Sequence, residues 1–160
     1  MNNEVFPAPV LILGVGNLLL SDEAVGVRIA EQLLKRNDIP SYVEIIDGGT
    51  AGHDLIDLIE KREKIIIIDA VDGGCEAGSI YRFTPQEIKN NPVYHMTSLH
   101  QLGILEILAF SQLFGHPPKE TVIFGVQPQS IELKIGLSPL VETKIPQVVD
   151  LVIKEWQKYP

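Results

Sequence analysis

The chain is 160 residues long and contains one cysteine, Cys75. That excludes an internal disulfide and a cysteine-cluster metal site, and makes the reducing cytoplasm the expected compartment. Positive charge is also scarce. Lys and Arg number 13 against 21 Asp and Glu, for a formal net charge of −8. Nucleic acid and anionic membrane both require a basic face, so neither is an expected partner. No run reaches the roughly 18 apolar residues of a membrane span. No basic residue precedes the first apolar stretch, so a signal peptide is not expected. Internal repeats, low-complexity tracts and linkers are absent from the sequence, and residues 1–160 read as one domain. With 45% hydrophobic residues, the chain can bury an ordinary globular core.

Apolar runs and helical periodicity alternate along the chain. Residues 9–15 and 42–46 read as strands, and 65–68 is a run of four isoleucines. Such a run fits a central parallel strand buried on both faces. Residues 79–83 and 121–126 read as two further strands. The segment 22–36 reads as a helix, with Glu31 and Lys35 spaced as an i,i+4 pair. Helices are also expected at 53–61, at 98–114 and at 139–158, the last with Ser138 as N-cap and Pro139 at its first position. This alternation predicts a three-layer α/β sandwich: a twisted, mostly parallel five-stranded sheet with helices on both faces. Strand 79–83 follows 65–68 too closely for a helical crossover. It is therefore expected to be antiparallel and at an edge.

Open α/β sheets bind ligands beyond the carboxyl ends of their strands. That rim should gather 17–23, 47–52 and 69–72, together with the first turn of helix 98–114. Leu13-Gly14-Val15-Gly16 begins like a dinucleotide fingerprint, but the third glycine is replaced by Leu19. Asp22 and Glu23 then place acid where a pyrophosphate needs positive potential. A metal or a basic substrate suits that turn better. Glu23, Asp69 and His100 form a possible carboxylate–carboxylate–imidazole set, fit for zinc or nickel and leaving an open coordination position. Each has a plainer reading: Glu23 as a helix-start acid, Asp69 as a turn, His100 as a polar helix start. Asp47 is either a ribose-binding acid or a turn former, and the glycines after it could admit an extended peptide. His53, His95 and His116 read as loop or helix-start residues. Cys75 lacks a base, Tyr81, Tyr94 and Trp156 read as packing residues, and no Gly-x-Ser-x-Gly elbow occurs.

Five ordered segments resemble the nickel-iron hydrogenase maturation endopeptidases. They are Gly14-Val15-Gly16-Asn17-Leu18-Leu19-Leu20-Ser21-Asp22-Glu23, Asp47-Gly48-Gly49-Thr50-Ala51-Gly52, Ile68-Asp69-Ala70, Ser98-Leu99-His100-Gln101-Leu102-Gly103 and Gly136-Leu137-Ser138-Pro139. The resemblance implies removal of a C-terminal extension from the nickel-loaded precursor of the hydrogenase large subunit. It also implies that Glu23, Asp69 and His100 contact the metal, and that Asp47, with Glu23, carries catalysis. Gly48, Gly49, Thr50 and Gln101 would contact substrate. Nickel would arrive with the precursor, and zinc or cadmium could occupy the site in its absence. A monomer is expected. Two other readings stay open: a non-catalytic nickel-dependent chaperone of the precursor, and a small nucleotide-binding module.

Overall fold

The computed structural model describes residues 7–50, 55–90 and 99–160, without the side chains of residues 89, 99–102, 104 and 114. Expectations that fall on His53, Tyr94, His95 and Ser98, and on the loop residues Ala51 and Gly52, lie outside the described residues.

Five strands form one sheet: β1 (Val10–Val15), β2 (Val43–Gly49), β3 (Lys64–Ala70), β4 (Ile80–Phe83) and β5 (Glu120–Val126), in the order β2-β1-β3-β5-β4. All neighbours pair in parallel except β4, which runs antiparallel to β5 at the edge. Ile65, Ile66, Ile67 and Ile68 are fully buried at the centre, as a strand covered on both faces requires. Alternation along the strands separates two cores. On one face Ile12, Ile66 and Phe124 pack against α1 (Val25–Leu34) and α6 (Ile145–Trp156). On the other, Leu13, Ile67 and Ile123 pack against α2 (Leu55–Ile59) and α4 (Leu99–Phe114). The expected three-layer sandwich is present.

Several local expectations are corrected. The helix expected over 22–36 begins as a single 3-10 turn, Ser21–Ala24, before α1 starts at Val25. Its ion pair is Arg28 with Glu31 at 2.9 Å rather than Glu31 with Lys35. Strand β2 runs on through Asp47 and Gly48 to Gly49, because its register shifts there: Gly14 pairs with Asp47 and Val15 with Gly49. Asp69 sits inside β3, opposite Gly125, rather than after the strand. An additional helix, α3 (Pro85–Asn90), follows β4. The last helix is broken in two, α5 (Pro139–Glu142) and α6, with a proline near the start of each.

The amino edge of the sheet is closed by buried charge. Lys64, at the start of β3, donates to Glu155 at 2.8 Å and to Glu120 at 3.1 Å. Arg82 and Lys158 also donate to Glu155, so three cations surround one buried carboxylate. Burial alone pushes the Glu155 pKa up. Hydrogen bonds from Arg82, Lys158 and Lys64, with the Lys64 charge, more than offset this and hold it at about 2 instead of 4.5. Because the folded-state value is depressed, Glu155 contributes stability above about pH 4.5 that is lost as pH falls toward 2. Urea unfolding against pH should show this slope in the wild type. Glu155→Gln should flatten it and cost about 3 kcal/mol at neutral pH, since buried Lys64 is left with the half-exposed Glu120 as its only carboxylate among the described residues. An unchanged acid limb in the variant would show that the network does not set it.

Candidate functional site at the carboxyl rim

Three glycines let the start of α1 lie directly on the sheet. A Cβ added at Gly26 would overlap the carbonyl oxygens of Ile68 and Val15, and one at Gly16 would overlap that of Glu23. A Cβ at Gly14 would come within 2.7 Å of the Ala30 Cβ. The backbone approach is thus closer than any side chain would allow. It sets the 3-10 turn, and Glu23 with it, over the carboxyl ends of β1 and β3, beside the Asp69 end of β3. A second tie joins the rim loops: the Gly16 amide donates to the Gly49 carbonyl at 2.9 Å.

The adjacent carboxylates Asp22 and Glu23 have opposite environments. Asp22 is fully buried and accepts four hydrogen bonds. They come from the amides of Gln129 (2.8 Å), Ser130 (3.0 Å) and Ser138 (2.7 Å), and from the Ser138 hydroxyl (2.8 Å). Asp22 is therefore a clamp between the turn and residues 129–138. The expectation that it offers acid to a metal or basic substrate is corrected. Ser138 is the expected N-cap of α5, accepting from the Val141 amide at 3.4 Å. Glu23, by contrast, holds its Oε2 buried with no hydrogen-bond partner among the described residues. A buried carboxylate oxygen without a donor is costly unless a cation fills the place. Borderline divalent metals accept such oxygen ligands, so this atom fits a metal contact.

Asp69 is buried at the end of β3, and its Oδ1 accepts from the Ala70 amide at 2.8 Å. Asp47 is exposed, and its Oδ1 accepts from the Gly49 amide at 2.9 Å. This is the geometry of an aspartate that orders its own turn. Gly48 is buried against Leu13 and Val15, Gly49 has a φ of +49°, and Thr50 is exposed at the loop start. Helix α4 ends at the amino edge, where the Lys61 amide donates to the His116 carbonyl at 3.1 Å. At 1.5 Å per residue it is about 24 Å long, so its first turn, with His100 and Gln101, starts toward the carboxyl rim. The side chains of both lie outside the described residues, and among the described residues no three His, Cys, Asp or Glu side chains gather as a metal set.

Two features of the site were not expected from the sequence. The first is the Asp22 clamp. The second is a polar network behind Asp69. Gln127, just after β5, accepts from the Tyr81 hydroxyl at 2.7 Å and the Gly73 amide at 2.9 Å, and donates to Asp72 at 3.0 Å. Gln127 and the Gly74 amide together hold the Asp72 carboxyl below its usual range. Burial raises the Tyr81 pKa. Tyr81 is thus more than the packing residue expected, because its hydroxyl fixes the loop that follows Asp69.

The nucleotide reading fails on the amides. The Ser21 amide donates to the Lys134 carbonyl, that of Asp22 to Ser130, and that of Glu23 to Leu20. The helix start therefore has its donors engaged where a phosphate would need them.

Comparison with known proteins bears on the fold and the family. A profile described as hydrogenase maturation protease matches residues 27–155. The hydrogenase 2 maturation protease of Escherichia coli (strain K12) is 41% identical over 144 residues, covering 90% of this chain and 88% of that protein. The hydrogenase expression/formation protein HupD of Bradyrhizobium diazoefficiens is 37% identical over 151 residues, covering 92% of this chain and 79% of that protein. The solved hydrogenase maturating endopeptidase HybD from E. coli superposes with a TM-score of 0.80 at 40% identity, covering 93% of this chain and 92% of that one.

The two neighbouring carboxylates should separate in a stability measurement. Asp22→Asn turns an amide N–H toward buried donors and should lower unfolding free energy by about 2–4 kcal/mol. Glu23→Gln should change it by less than about 0.5 kcal/mol or raise it, since it neutralises an orphaned carboxylate. Urea denaturation of both variants checks this; equal losses would refute the division of labour.

Proposed function

The chain belongs to the hydrogenase maturation protease family, and from that premise we propose that it cleaves the C-terminal extension from a nickel-loaded hydrogenase large-subunit precursor. The observation that carries the site assignment is the buried Oε2 of Glu23 at the carboxyl rim, which has no hydrogen-bond partner among the described residues. Nickel is part of the substrate in this reading. Glu23 and Asp69, with His100 from the first turn of α4, complete its coordination as the precursor docks. Zinc or cadmium would take the same donors in isolated protein. Capture of the metal holds the scissile peptide against the rim, and much of the rate comes from that fixed orientation.

Asp47 is the proposed base toward the attacking water, which makes this an aspartate-dependent peptidase. Its rotamer is fixed by the Gly49 amide, and it faces solvent from which water is drawn. The backbone of Gly48, Gly49 and Thr50, and Gln101, would line the extended substrate. The acidic rim suits a cation and a basic residue at the cleavage point. The protein would act as a monomer in the cytoplasm; among the described residues no helix is long and apolar enough to cross a membrane.

The test mixes purified protein with its cognate precursor, with and without nickel, and reads the precursor mass. Loss of the C-terminal peptide only with nickel is expected. Glu23→Gln, Asp69→Asn and Asp47→Asn should each slow it by at least about 100-fold. Full processing by Asp69→Asn would overturn the ligand set. Binding of nickel-loaded precursor without shortening would replace the protease reading with that of a chaperone.

A further inference from the structure

Among the described residues nine large apolar side chains are exposed, and six of them sit on segments joined to one another: Leu18, Leu19, Ile131, Leu133, Ile135 and Leu140. Leu133 is 82% exposed and Ile135 72%. Single exposed apolar residues are ordinary, but a contiguous group marks a contact surface. The two main segments are paired. The Lys134 amide donates to the Leu19 carbonyl at 2.9 Å, the Ser21 amide donates to the Lys134 carbonyl at 2.8 Å, and Leu20 bridges Lys134 in parallel.

This apolar strap is held rigidly and next to the proposed metal-contacting carboxylate. Asp22 takes the amides of Gln129 and Ser130 at one end and that of Ser138 at the other. The next residue is Glu23. Ser21 adds a hydrogen bond from its hydroxyl to the Gly136 carbonyl at 3.2 Å, and takes a φ of +46° to do so. A non-glycine residue in that region is held there only when its surroundings fix it. The strap is therefore presented in one shape before any partner arrives, which lowers the entropic cost of docking.

We propose that this strap, residues 131–135 laid against Leu18 and Leu19, is the docking surface for an uncharged, apolar stretch of the precursor flanking its scissile bond. The inference rests on the precursor-cleaving reading. Three observations choose that occupant. The strap is tied through Asp22 to the turn that carries Glu23, so a protein whose cleavage point reaches Glu23 comes within reach of it. Its exposed charges, Glu132 and Lys134, are of opposite sign and cancel locally, so the surface selects apolar contact rather than charge. A second copy of this chain carries the same net charge of −8 and is repelled. The strap thus reads the protein around the cleavage point while the acidic rim reads the metal.

The test uses the full chain with the double substitution Leu133→Ser and Ile135→Ser, and Leu113→Ser as a control. Leu113 is 75% exposed on α4 and lies outside the strap. Cleavage kinetics and direct binding are both measured with nickel-loaded precursor. The strap variant should raise KM and Kd by about tenfold or more at unchanged kcat, as loss of a central apolar anchor does, while the control matches wild type. Unchanged KM and Kd, or a fall in kcat alone, would overturn the docking surface and leave the protease reading standing. Wild-type binding without cleavage, lost in the strap variant, would overturn the protease reading and keep the surface. Sedimentation showing a wild-type dimer that the double substitution dissolves would assign the strap to self-association and overturn the proposal.

Discussion

The contact on which the site depends is that of backbone with backbone, where the start of α1 rests on the ends of β1 and β3. Gly14, Gly16 and Gly26 have no Cβ to hold the layers apart, and at each of them an added one would overlap main-chain oxygen. Backbone cannot yield as a flexible side chain can, so these positions tolerate no substitution without moving the helix. Its location follows from the same contact. With Gly26 against Ile68, Glu23 is carried to the rim at which β3 ends in Asp69-Ala70. The glycines that resemble a phosphate fingerprint therefore serve close packing, while the amides a phosphate would use donate to carbonyls instead.

Magnitudes explain why the turn accepts strain. The left-handed φ at Ser21 costs roughly 1–2 kcal/mol. Against it stand the four hydrogen bonds to the Asp22 carboxylate, each contributing about 1.5–3 kcal/mol when one member is charged. The clamp wins, and the turn is held in a conformation it would not adopt alone. Glu23 inherits that fixed position without stabilising the fold through its Oε2. If Glu23 receives a substrate cation, as proposed, its Oε2 is expected to lack a partner in the free protein, and the stability of the turn comes from the neighbouring Asp22.

How far the sequence could be read depended on how local each cause was. Four consecutive isoleucines identified the central strand, and the short connection after them identified the antiparallel edge. Ser138-Pro139 marked the start of α5. Helix α3 was missed, although Thr84-Pro85-Gln86-Glu87 carried its signal: the Thr84 amide donates to Glu87 at 2.7 Å and the Glu87 amide to Thr84 at 3.4 Å, a capping box with proline at its first position. The extension of β2 through two glycines contradicts strand propensity and arises from a register shift with β1. Asp22 could not be sorted from Glu23, because its partners lie more than 100 residues along the chain. The Gln127 network was hidden likewise, since its members come from three separate strand ends.

Charge is divided unevenly between the two edges of the sheet, and the two basic side chains buried among the described residues both lie at the amino edge. Arg62 and Lys64, both buried, lie at the amino edge, where Glu44, Glu120 and Glu155 neutralise them. Arg82 and Lys158 add to the same cluster. At the other edge, neither Glu23 nor Asp47 enters an ion pair among the described residues, and Asp72 is served by an amide side chain and a backbone N–H rather than by a cation. Attraction between charges falls with distance and screening, and along the length of these strands, about 20 Å, it is largely lost. The cations at the amino edge thus stabilise the fold without neutralising the rim. Lys134 lies on the rim side but is exposed to solvent, so in the proposed reading a substrate that brings its own cation supplies the partner that the buried amino-edge cations do not.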